Sequence, residues 1–383
     1  MKIAIIGHKR IPSNEGGIEK GVEMHAVRMA ARGHQVVVYN RGGHNIFGKE
    51  YDRKRGKTYK GVRMITVPTV SGRACVPFYS FLATLHAAIV RYDVVSYRAS
   101  GSCIMIPLAK LFGLRCVASL HGIDSKRDKW GRFARWYLEL GERMAAMKAD
   151  VCLVLSSNMK SYIKKTYGTD SLMFANGITQ PEIRRPDKIQ KQFGLEKDSY
   201  ILSLGRIVPE KGIHILIKAF QACHTDKKLV IAGGAEENSR YYEELIRLAA
   251  GDKRILFTGF VRGQVIGELY SNAWIFVLPS NLEGMANSLL EAMSYGCCCL
   301  VSDIPENMEV VGDHAASFRK GDEEDLRAQL TWLLENPDRI LSYRSAAAEH
   351  VLSRYSWDRV VDQMLEVYRG NLVEYQDMIE REQ

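Results

Sequence analysis

Two glutamates near residue 290 have the side chains of an acid/base pair. Glu283 and Glu291 lie in the stretch EGMANSLLE, directly after the apolar run WIFVLPSN. If this stretch were helical throughout, the two carboxylates would be about 12 Å apart along the axis, whereas glycosidase pairs need roughly 5 to 9.5 Å. The pair is therefore either two solvated charges or two contacts to one extended ligand. We predict the second arrangement, with Glu283 in a loop, Glu291 in a helix, and Gly284 allowing close approach of the backbone.

Two cations lie at an earlier junction between a strand and a helix. Arg206 and Lys211 occur in GRIVPEKG, after the apolar run YILSLG. Pro209 and Gly212 shape the turn. A guanidinium fork together with an ammonium group suits a diphosphate, although two exposed basic residues in a loop would give the same pattern.

Residues in the first half could also bind or react. Gly16 and Gly17 open a predicted helix in GHKRIPSNEGGIEKG, where backbone N–H groups favour an anion, but a Gly-Gly pair is also typical of a simple turn. His121 ends the strand-like segment CVASLHG, and a single histidine is more often structural than catalytic. Glu142 and Arg143 in the next helix read, on the residues alone, as a surface pair.

Alternating strands and helices must position these side chains. Apolar β-type runs such as KIAIIG, QVVVYN and DVVSYR alternate with helical segments, and a second series begins at YILSLGRI. This order indicates parallel sheets covered by helices on both faces, and such sheets bind ligands beyond the carboxyl ends of their strands. The predicted fold is therefore α/β, with two doubly wound, Rossmann-like domains facing a cleft.

The domain limits follow from changes in composition. We predict domains at residues 1–180 and 199–355, joined by a polar, proline-containing linker at residues 181–198. Residues 356–383 are predicted to form a C-terminal helix that crosses back to the first domain. A length of 383 residues with 46% hydrophobic content suits two cores.

The distribution of charge limits the classes of binding partner, and the spacing of the cysteines indicates the state of their thiols. Residues 1–185 hold 31 Lys and Arg against 13 Asp and Glu (+18), whereas the remainder holds 22 against 31 (−9). The basic half suits anionic lipid, an anionic acceptor or nucleic acid, or it is simply solvated. The eight cysteines include no C-x-x-C pair, so reduced, buried thiols are predicted.

Neither a membrane span nor a secretion signal is expected. The apolar stretch between Arg73 and Arg91 is interrupted by polar residues and is predicted to be a buried helix. The start MKIAIIGHK is too short and too quickly polar for a signal peptide. The expected location is the cytoplasm.

Four motifs occur in an order that is typical of one enzyme family. EGG after the first strand, LHG in mid-chain, GRIVPEKG and EGMANSLLEAMSYG resemble the retaining glycosyltransferases of family 4, which have the GT-B fold. The resemblance spans roughly residues 2–365. The start IPSNEGGIE is similar to enzymes of rhamnose-containing surface polysaccharide assembly.

The resemblance implies an acceptor-binding first domain and a second domain that holds a nucleotide-diphospho-sugar. Arg206 and Lys211 would contact the diphosphate, and Glu291 the ribose. Glu283 would contact the donor sugar, His121 the reacting sugar, and Glu142 would be a supporting acid. The implied catalytic set is Glu283, His121, Arg206 and Lys211. The implied donor-binding set is Gly16, Gly17, Arg206, Lys211, Phe260, Val261, Glu283, Gly284, Met285, Asn287, Ser288 and Glu291.

One position departs from the family pattern. Ala286 stands in EGMAN where family members often have glycine, so its methyl group would alter the fit of the sugar. It is left out of the predicted site for that reason.

The resemblance also implies a mechanism. The acceptor would attack on the leaving-group face, a donor phosphate oxygen would take its proton, and fixed cations would stabilise the leaving diphosphate. No Asp-x-Asp occurs in a strand-end setting, and GDEED at residues 321–325 reads as an acidic helix start. We therefore predict no catalytic metal and no cofactor besides the nucleotide-sugar substrate.

The expected function is transfer of a hexosyl or deoxyhexosyl group to a glycan or lipid-linked acceptor in surface polysaccharide synthesis. The segment SKRDKWGRFARWYLELGERM mixes basic and aromatic residues as interfacial helices do, which suggests peripheral contact with anionic membrane. The alternative is a helix that packs its aromatics on its own domain. A binding or epimerising protein of the same fold is the main rival function. A nucleic-acid binder is disfavoured, because no nucleic-acid-binding module is recognised.

Overall fold

The computed structural model describes residues 1–12, 17–43, 56–70, 72–126, 130–235 and 239–380. Contacts divide the chain into two compact units. The first comprises Met1–Gly177 with Trp357–Gln383, and the second comprises Ile178–Ser356.

The first unit is built on an eight-stranded sheet. Its elements before the second unit are β1 (Lys2–Ile6), α1 (Gly17–Ala31), β2 (Gln35–Arg41), β3 (Thr58–Tyr59), β4 (Val62–Val67), α2 (Cys75–Val90), β5 (Val94–Arg98), α3 (Ser100–Cys103), α4 (Ile106–Leu111), β6 (Arg115–Leu120), α5 (Arg132–Lys148), β7 (Val151–Val154), α6 (Ser157–Tyr167) and β8 (Leu172–Met173). The strand order is β3-β4-β2-β1-β5-β6-β7-β8, and only β3 and β4 pair antiparallel. The central strands are buried almost throughout, as expected for a parallel sheet covered on both faces.

The second unit has a six-stranded parallel sheet in the order β11-β10-β9-β12-β13-β14. Its elements are α7 (Lys188–Phe193), β9 (Tyr200–Leu204), α8 (Ile213–Gln221), β10 (Lys228–Ala232), α9 (Arg240–Ala249), β11 (Ile255–Gly259), α10 (Gln264–Asn272), β12 (Ile275–Leu278), α11 (Asn287–Ser294), β13 (Cys298–Ser302), α12 (Pro305–Val311), β14 (Ala316–Phe318), α13 (Glu323–Glu335) and α14 (Pro337–Arg354). Two apolar clusters fill the two faces of this sheet. The predicted fold class, two α/β domains with parallel sheets, is confirmed.

The chain then returns to the first unit as α15 (Trp357–Arg369) and α16 (Leu372–Glu380). Trp357 packs edge-on against His25 of α1, with ring centroids 5.2 Å apart. Arg32, directly after α1, pairs with Asp358 and Asp362 of α15, at 3.1 and 2.8 Å. The C-terminal helices therefore belong to the helical layer of the first unit.

The segment predicted to be a linker, residues 181–198, differs from that prediction. It contains α7, and both Ile189 and Leu195 are fully buried in a core cluster of the second unit. Glu268 of α10 accepts hydrogen bonds from the Lys188 and Ile189 N–H groups, at 2.7 and 3.0 Å. This segment is part of the second unit, because Ile189 and Leu195 are buried in its core and the first helical N–H groups of α7 are capped.

Other local predictions can be compared directly. The apolar stretch before Arg91 forms α2, and within the described ranges no helix has the length and hydropathy needed to cross a bilayer. All eight cysteines are free, and seven are buried, with Cys75 half-buried. Two short helices, α3 and α4, lie between β5 and β6.

Candidate functional site

The turn after β9 carries the two predicted cations. Pro209–Lys211 forms one 3-10 turn, and Gly212 ends it with φ at +64°. A Cβ on Gly212 would lie 2.1 Å from the Pro279 carbonyl oxygen. Only glycine therefore allows the turn to approach the segment that follows β12.

This approach brings two loops together. The Asn281 N–H donates to the Glu210 carbonyl oxygen at 2.8 Å, and Lys211 Nζ forms an ion pair with Glu283 Oε1. The Lys211 side chain is 16% exposed and that of Glu283 is 9% exposed. Because the pair is largely shielded from water, each charge depends strongly on its partner.

A small recess opens beside this pair, at the carboxyl ends of β9, β10 and β12. Its lining includes Gly205, Arg206, Lys211, Ala232 and Pro279. Arg206 is exposed, in contrast to the paired Lys211. The recess thus presents one guanidinium and one ammonium group to a ligand, which is the charge that a diphosphate requires.

The two glutamates lie as predicted in different local settings. Glu283 is in the loop after β12, and Glu291 is in α11. The Tyr270 hydroxyl donates to Glu291 Oε2 at 3.2 Å. The Tyr270 ring stacks on the Tyr295 ring, with centroids 5.3 Å apart. Burial, and then the Glu291 charge, raise the pKa of Tyr270. Tyr270 therefore stays protonated and orients the Glu291 carboxylate.

The remaining predicted donor contacts surround these elements. Gly284 and Met285 lie in the loop with Glu283, and the buried Ala286 precedes α11. Asn287 and Ser288 are the first residues of α11, where backbone N–H groups lack partners within the helix. Phe260 and Val261 lie in the loop between β11 and α10, and Val261 packs against the core.

The acidic stretch at residues 321–325 has a structural role. Asp322 caps α13 by accepting a hydrogen bond from the Asp325 N–H at 2.9 Å. This confirms the predicted acidic helix start. Across the described ranges, no cluster of three or more His, Cys, Asp or Glu residues is placed to hold a metal ion.

The first unit carries the remaining predicted residues. Gly16 lies outside the described residues, whereas Gly17 is the exposed first residue of α1. His121 directly follows β6, and its ring packs edge-on against Phe174 with centroids 5.5 Å apart. Burial, and then the Arg98 charge, lower the pKa of His121 to about 3. His121 is therefore a neutral imidazole near physiological pH.

Arg98, at the end of β5, was not singled out in the sequence. It is fully buried, and its NH2 group contacts His25 Nδ1 at 3.2 Å and the Tyr368 hydroxyl at 3.3 Å. Within the described part of the chain, its Nε and NH1 have no hydrogen-bond partner. In sequence Arg98 reads only as the last residue of a strand, so no local signal distinguishes it.

Glu142 is not a surface residue, contrary to the reading of Glu142 and Arg143 as a surface pair. It is 1% exposed and accepts hydrogen bonds from the Ser125 N–H and hydroxyl, at 3.2 and 3.1 Å, and from the Tyr162 hydroxyl at 3.1 Å. Burial raises its pKa, and the Ser125 and Tyr162 hydrogen bonds oppose that shift. Glu142 thereby anchors the 3-10 turn Asp124–Lys126, which closely follows His121.

Comparisons with known proteins bear on this arrangement. Residues 15–178 match the family model described as Glycosyltransferase Family 4, and residues 185–350 match that described as Glycosyl transferases group 1. An alpha-maltose-1-phosphate synthase from Mycolicibacterium smegmatis is 29% identical over 68% of this chain and 74% of its own length. An O-antigen chain mannosyltransferase from Salmonella typhimurium is 27% identical over 57% of this chain and 59% of its own length.

Solved structures share the fold. Sucrose-phosphate synthase from Thermosynechococcus elongatus has a TM-score of 0.81 at 18% identity, over 97% of this chain and 99% of that one. Anabaena HepE in complex with UDP-glucose has a TM-score of 0.75 at 18% identity, over 96% of this chain and 99% of that one. With the two family matches, which together extend over most of the sequence, the chain belongs to glycosyltransferase family 4 and is an enzyme of the GT-B type.

Proposed function

We propose that this glycosyltransferase moves a hexosyl or deoxyhexosyl group from a nucleotide-diphospho-sugar to a glycan or lipid-linked acceptor, with retention at the anomeric carbon and without a metal ion. The observation that carries the proposal is the recess lined by Arg206 and Lys211, with Lys211 ion-paired to Glu283. The names of two similar proteins support the substrate class and the setting: one is bound to UDP-glucose, and the other extends O-antigen chains. We place the reaction in surface polysaccharide synthesis.

The proposed step can be written as a bond balance. The bond between the anomeric carbon and the diphosphate oxygen breaks, and both electrons leave with the diphosphate. An acceptor hydroxyl forms the new bond on the same face of the sugar, and its proton goes to an oxygen of the leaving diphosphate. Arg206 and Lys211 stabilise the negative charge that builds on this group, so neither a metal ion nor an enzymic base is required.

The Lys211–Glu283 pair has a specific part in this step. Glu283 neutralises Lys211 and holds its ammonium group beside the turn that follows β9. A bound diphosphate would share Lys211, which leaves Glu283 to accept hydrogen bonds from the donor sugar. The two residues therefore act together, and removing either one exposes the other as a largely buried charge.

A panel of nucleotide sugars in a thermal-shift assay tests the donor. The preferred donor is expected to raise Tm through ligand linkage, and Lys211→Ala is expected to abolish the shift. Lys218→Ala, which removes a half-exposed lysine on α8, is the matched control and should leave the shift unchanged. A panel with no shift in the wild type would contradict the proposal.

Transfer to an acceptor separates the proposed enzyme from a binding or epimerising protein. Glu283→Gln is expected to stay folded and to lose turnover. A donor that binds tightly but is never transferred, or that is converted to its epimer, would favour the rival function.

We also propose peripheral contact with the cytoplasmic face of an anionic membrane through α5. Phe133 and Trp136 on this helix are 59% and 56% exposed, and Arg132 and Arg135 beside them are exposed. Arg127 and Lys129, part of the same sequence pattern, lie outside the described residues. Exposed aromatic and basic side chains on one helix are typical of interfacial binding.

Co-sedimentation with vesicles containing phosphatidylglycerol tests this contact. The double variant Arg132→Glu, Arg135→Glu is expected to stay in the supernatant at low salt, whereas the exposed control Arg240→Glu in the second unit should sediment like the wild type. Equal sedimentation of all three proteins would remove the proposal.

A further inference from the structure

Arg41 lies at the carboxyl end of β2. Its NH2 group donates to the Gly7 carbonyl oxygen at 3.1 Å, and its guanidinium carbon lies 5.2 Å from the centroid of the Tyr79 ring. Within the described ranges Arg41 has no ion pair, and its Nε has no hydrogen-bond partner. Glu19, a carboxylate at the same edge of the sheet, accepts a hydrogen bond from the Lys9 N–H at 3.1 Å. The half-buried guanidinium is thus held in place without forming an ion pair among the described residues.

The Arg41 guanidinium is held against α2 through the Tyr79 ring. Tyr79 in turn accepts a hydrogen bond from the Gly7 N–H at 3.1 Å. Tyr137 of α5 donates to the Gly101 carbonyl oxygen at 2.6 Å. Burial raises the pKa of Tyr137 to about 12, and the Arg41 charge opposes that shift.

Both helices flank α3. A Cβ on Gly101 of α3 would lie 3.2 Å from Val76 of α2 and 3.6 Å from Tyr137 of α5. The first turn of α2 and the second turn of α5 therefore both lie against α3 at Gly101.

Exposed aromatic side chains occur near the N-terminal ends of α2 and α5. On α2, Phe78 and Phe81 are 39% and 44% exposed; on α5, Phe133 and Trp136 are 59% and 56% exposed. We call these four residues the aromatic rim. Exposed aromatic side chains are suited to bind an apolar ligand. Arg41, which packs against α2 and has no ion pair within the described ranges, favours a ligand that is also anionic.

We propose that Arg41 binds the diphosphate of a lipid-linked acceptor and that the aromatic rim contacts the first part of its lipid chain. The inference rests on the proposed function, in which the first unit binds the acceptor. A guanidinium fork matches phosphate oxygens, and the Tyr79 ring holds the fork in a fixed plane. Lys9 and Arg10, in the loop after β1, add positive charge at the same edge of the sheet.

Binding of farnesyl diphosphate, below its micelle-forming concentration, tests the site in the full-length protein by isothermal titration calorimetry. Arg41→Gln is expected to weaken binding about 10-fold or more, since a charge-assisted contact is lost. Arg63→Gln removes an exposed arginine from the adjacent strand β4 and should leave the affinity unchanged. Equal affinities for Arg41→Gln and Arg63→Gln would overturn the proposal.

Probes with only part of the ligand separate its components. Replacing Phe133 and Trp136 by Ser is expected to weaken the binding of farnesyl diphosphate but not that of inorganic pyrophosphate. Arg41→Gln should leave the binding of farnesol unchanged. Dihexanoyl phosphatidylglycerol carries one phosphodiester and is expected to bind more weakly. Tighter binding of this phospholipid would overturn the assignment to a diphosphate in favour of an ordinary headgroup.

Two further variants keep the outcome interpretable. Lys211→Ala is expected to retain farnesyl diphosphate binding, which distinguishes the Arg41 site from the donor recess. If Arg41→Gln does not fold, Arg41→Lys, which keeps the charge but not the planar fork, is expected to weaken binding as well. An unchanged affinity in a folded Arg41→Lys would then overturn the proposal.

The failure of this inference can be told apart from failure of the proposed function. A nucleotide-sugar thermal shift together with Arg41-independent farnesyl diphosphate binding removes only the Arg41 site. If farnesyl diphosphate binding depends on Arg41 but no nucleotide sugar raises Tm, the Arg41 site is supported and the transferase proposal is contradicted.

Discussion

Acidification is expected to destabilise the first unit because several of its histidines are buried in the neutral form. His8 is 1% exposed, and burial lowers its pKa to about 3, despite a hydrogen bond with Asn40. The pKa of His121 is lowered to about 3, and that of His25 is lowered well below its usual value, in both cases first by burial and then by the Arg98 charge. The unfolded chain would protonate these groups near pH 6.5, so protons are taken up on unfolding.

The direction and size of the effect follow from linkage. Between pH 6.5 and about pH 3 the unfolded state binds more protons than the folded state, so the free energy of unfolding falls as the pH falls. For one such histidine, the loss between pH 7.5 and pH 5 is about 2 kcal/mol. For His8 and His121 together, we expect a loss of about 4 kcal/mol.

Urea unfolding at pH 7.5, 6.5, 5.5 and 5.0 measures this loss. Trp274 and Trp332 lie in the second unit, so replacing both by Phe leaves fluorescence that reports on the first unit. In that background His8→Gln is expected to remove about 2 kcal/mol of the pH dependence. His224→Gln, an exposed histidine of the second unit, is the control and should leave it intact.

Two results would refute the reasoning. One is an unfolding free energy of the first unit that is the same at pH 7.5 and pH 5. The other is a pH dependence that survives unchanged in both His8→Gln and His121→Gln.

Three further predictions concern the site and its supports. Lys211→Ala is expected to lower kcat at least about 100-fold and to reduce stability, because Glu283 loses its partner. The double variant Lys211→Met, Glu283→Gln removes both charges, so it should regain stability in thermal melts but should not regain turnover. If the double variant recovers turnover, the pair is only structural. Glu142→Ala is expected to lower the free energy of unfolding in urea by about 3 kcal/mol, because it leaves buried donors without an acceptor. A loss below about 0.5 kcal/mol would show that water replaces the Glu142 carboxylate as acceptor. Gly212→Ala should lower Tm in thermal melts clearly more than Gly263→Ala. Both glycines have φ near +60°, but only a Cβ at residue 212 would meet a backbone oxygen. Equal changes in Tm would contradict the predicted clash.

Much of the fold could be predicted because its signals are local. Apolar runs such as KIAII and YILSL identified strands that the structure contains as β1 and β9. The segment at residues 181–198 was harder, because its composition is that of a linker. Only packing shows that Ile189 and Leu195 lie in the core of the second unit.

The candidate site was predictable to a different degree. Glu283 was expected in a loop and Glu291 in a helix, and both lie there, since strand, loop and helix order is local information. Glu142 read as a surface acid, because Ser125 and Tyr162, which bind it, lie 17 and 20 residues away in the chain. Arg98 was overlooked for the same reason: its contacts come from α1 and α15.

The sequence by itself determined the order of strands and helices and the family, because hydrophobic periodicity, turn glycines and short motifs act over a few residues. Only the tertiary structure decided which charges are paired, buried or left without a counter-charge. It joins Lys211 to Glu283, encloses Glu142, keeps His121 neutral and leaves Arg41 without a carboxylate in the described part of the chain. The physical reason is that desolvation and Coulomb interactions depend on distances between segments that are far apart in the chain.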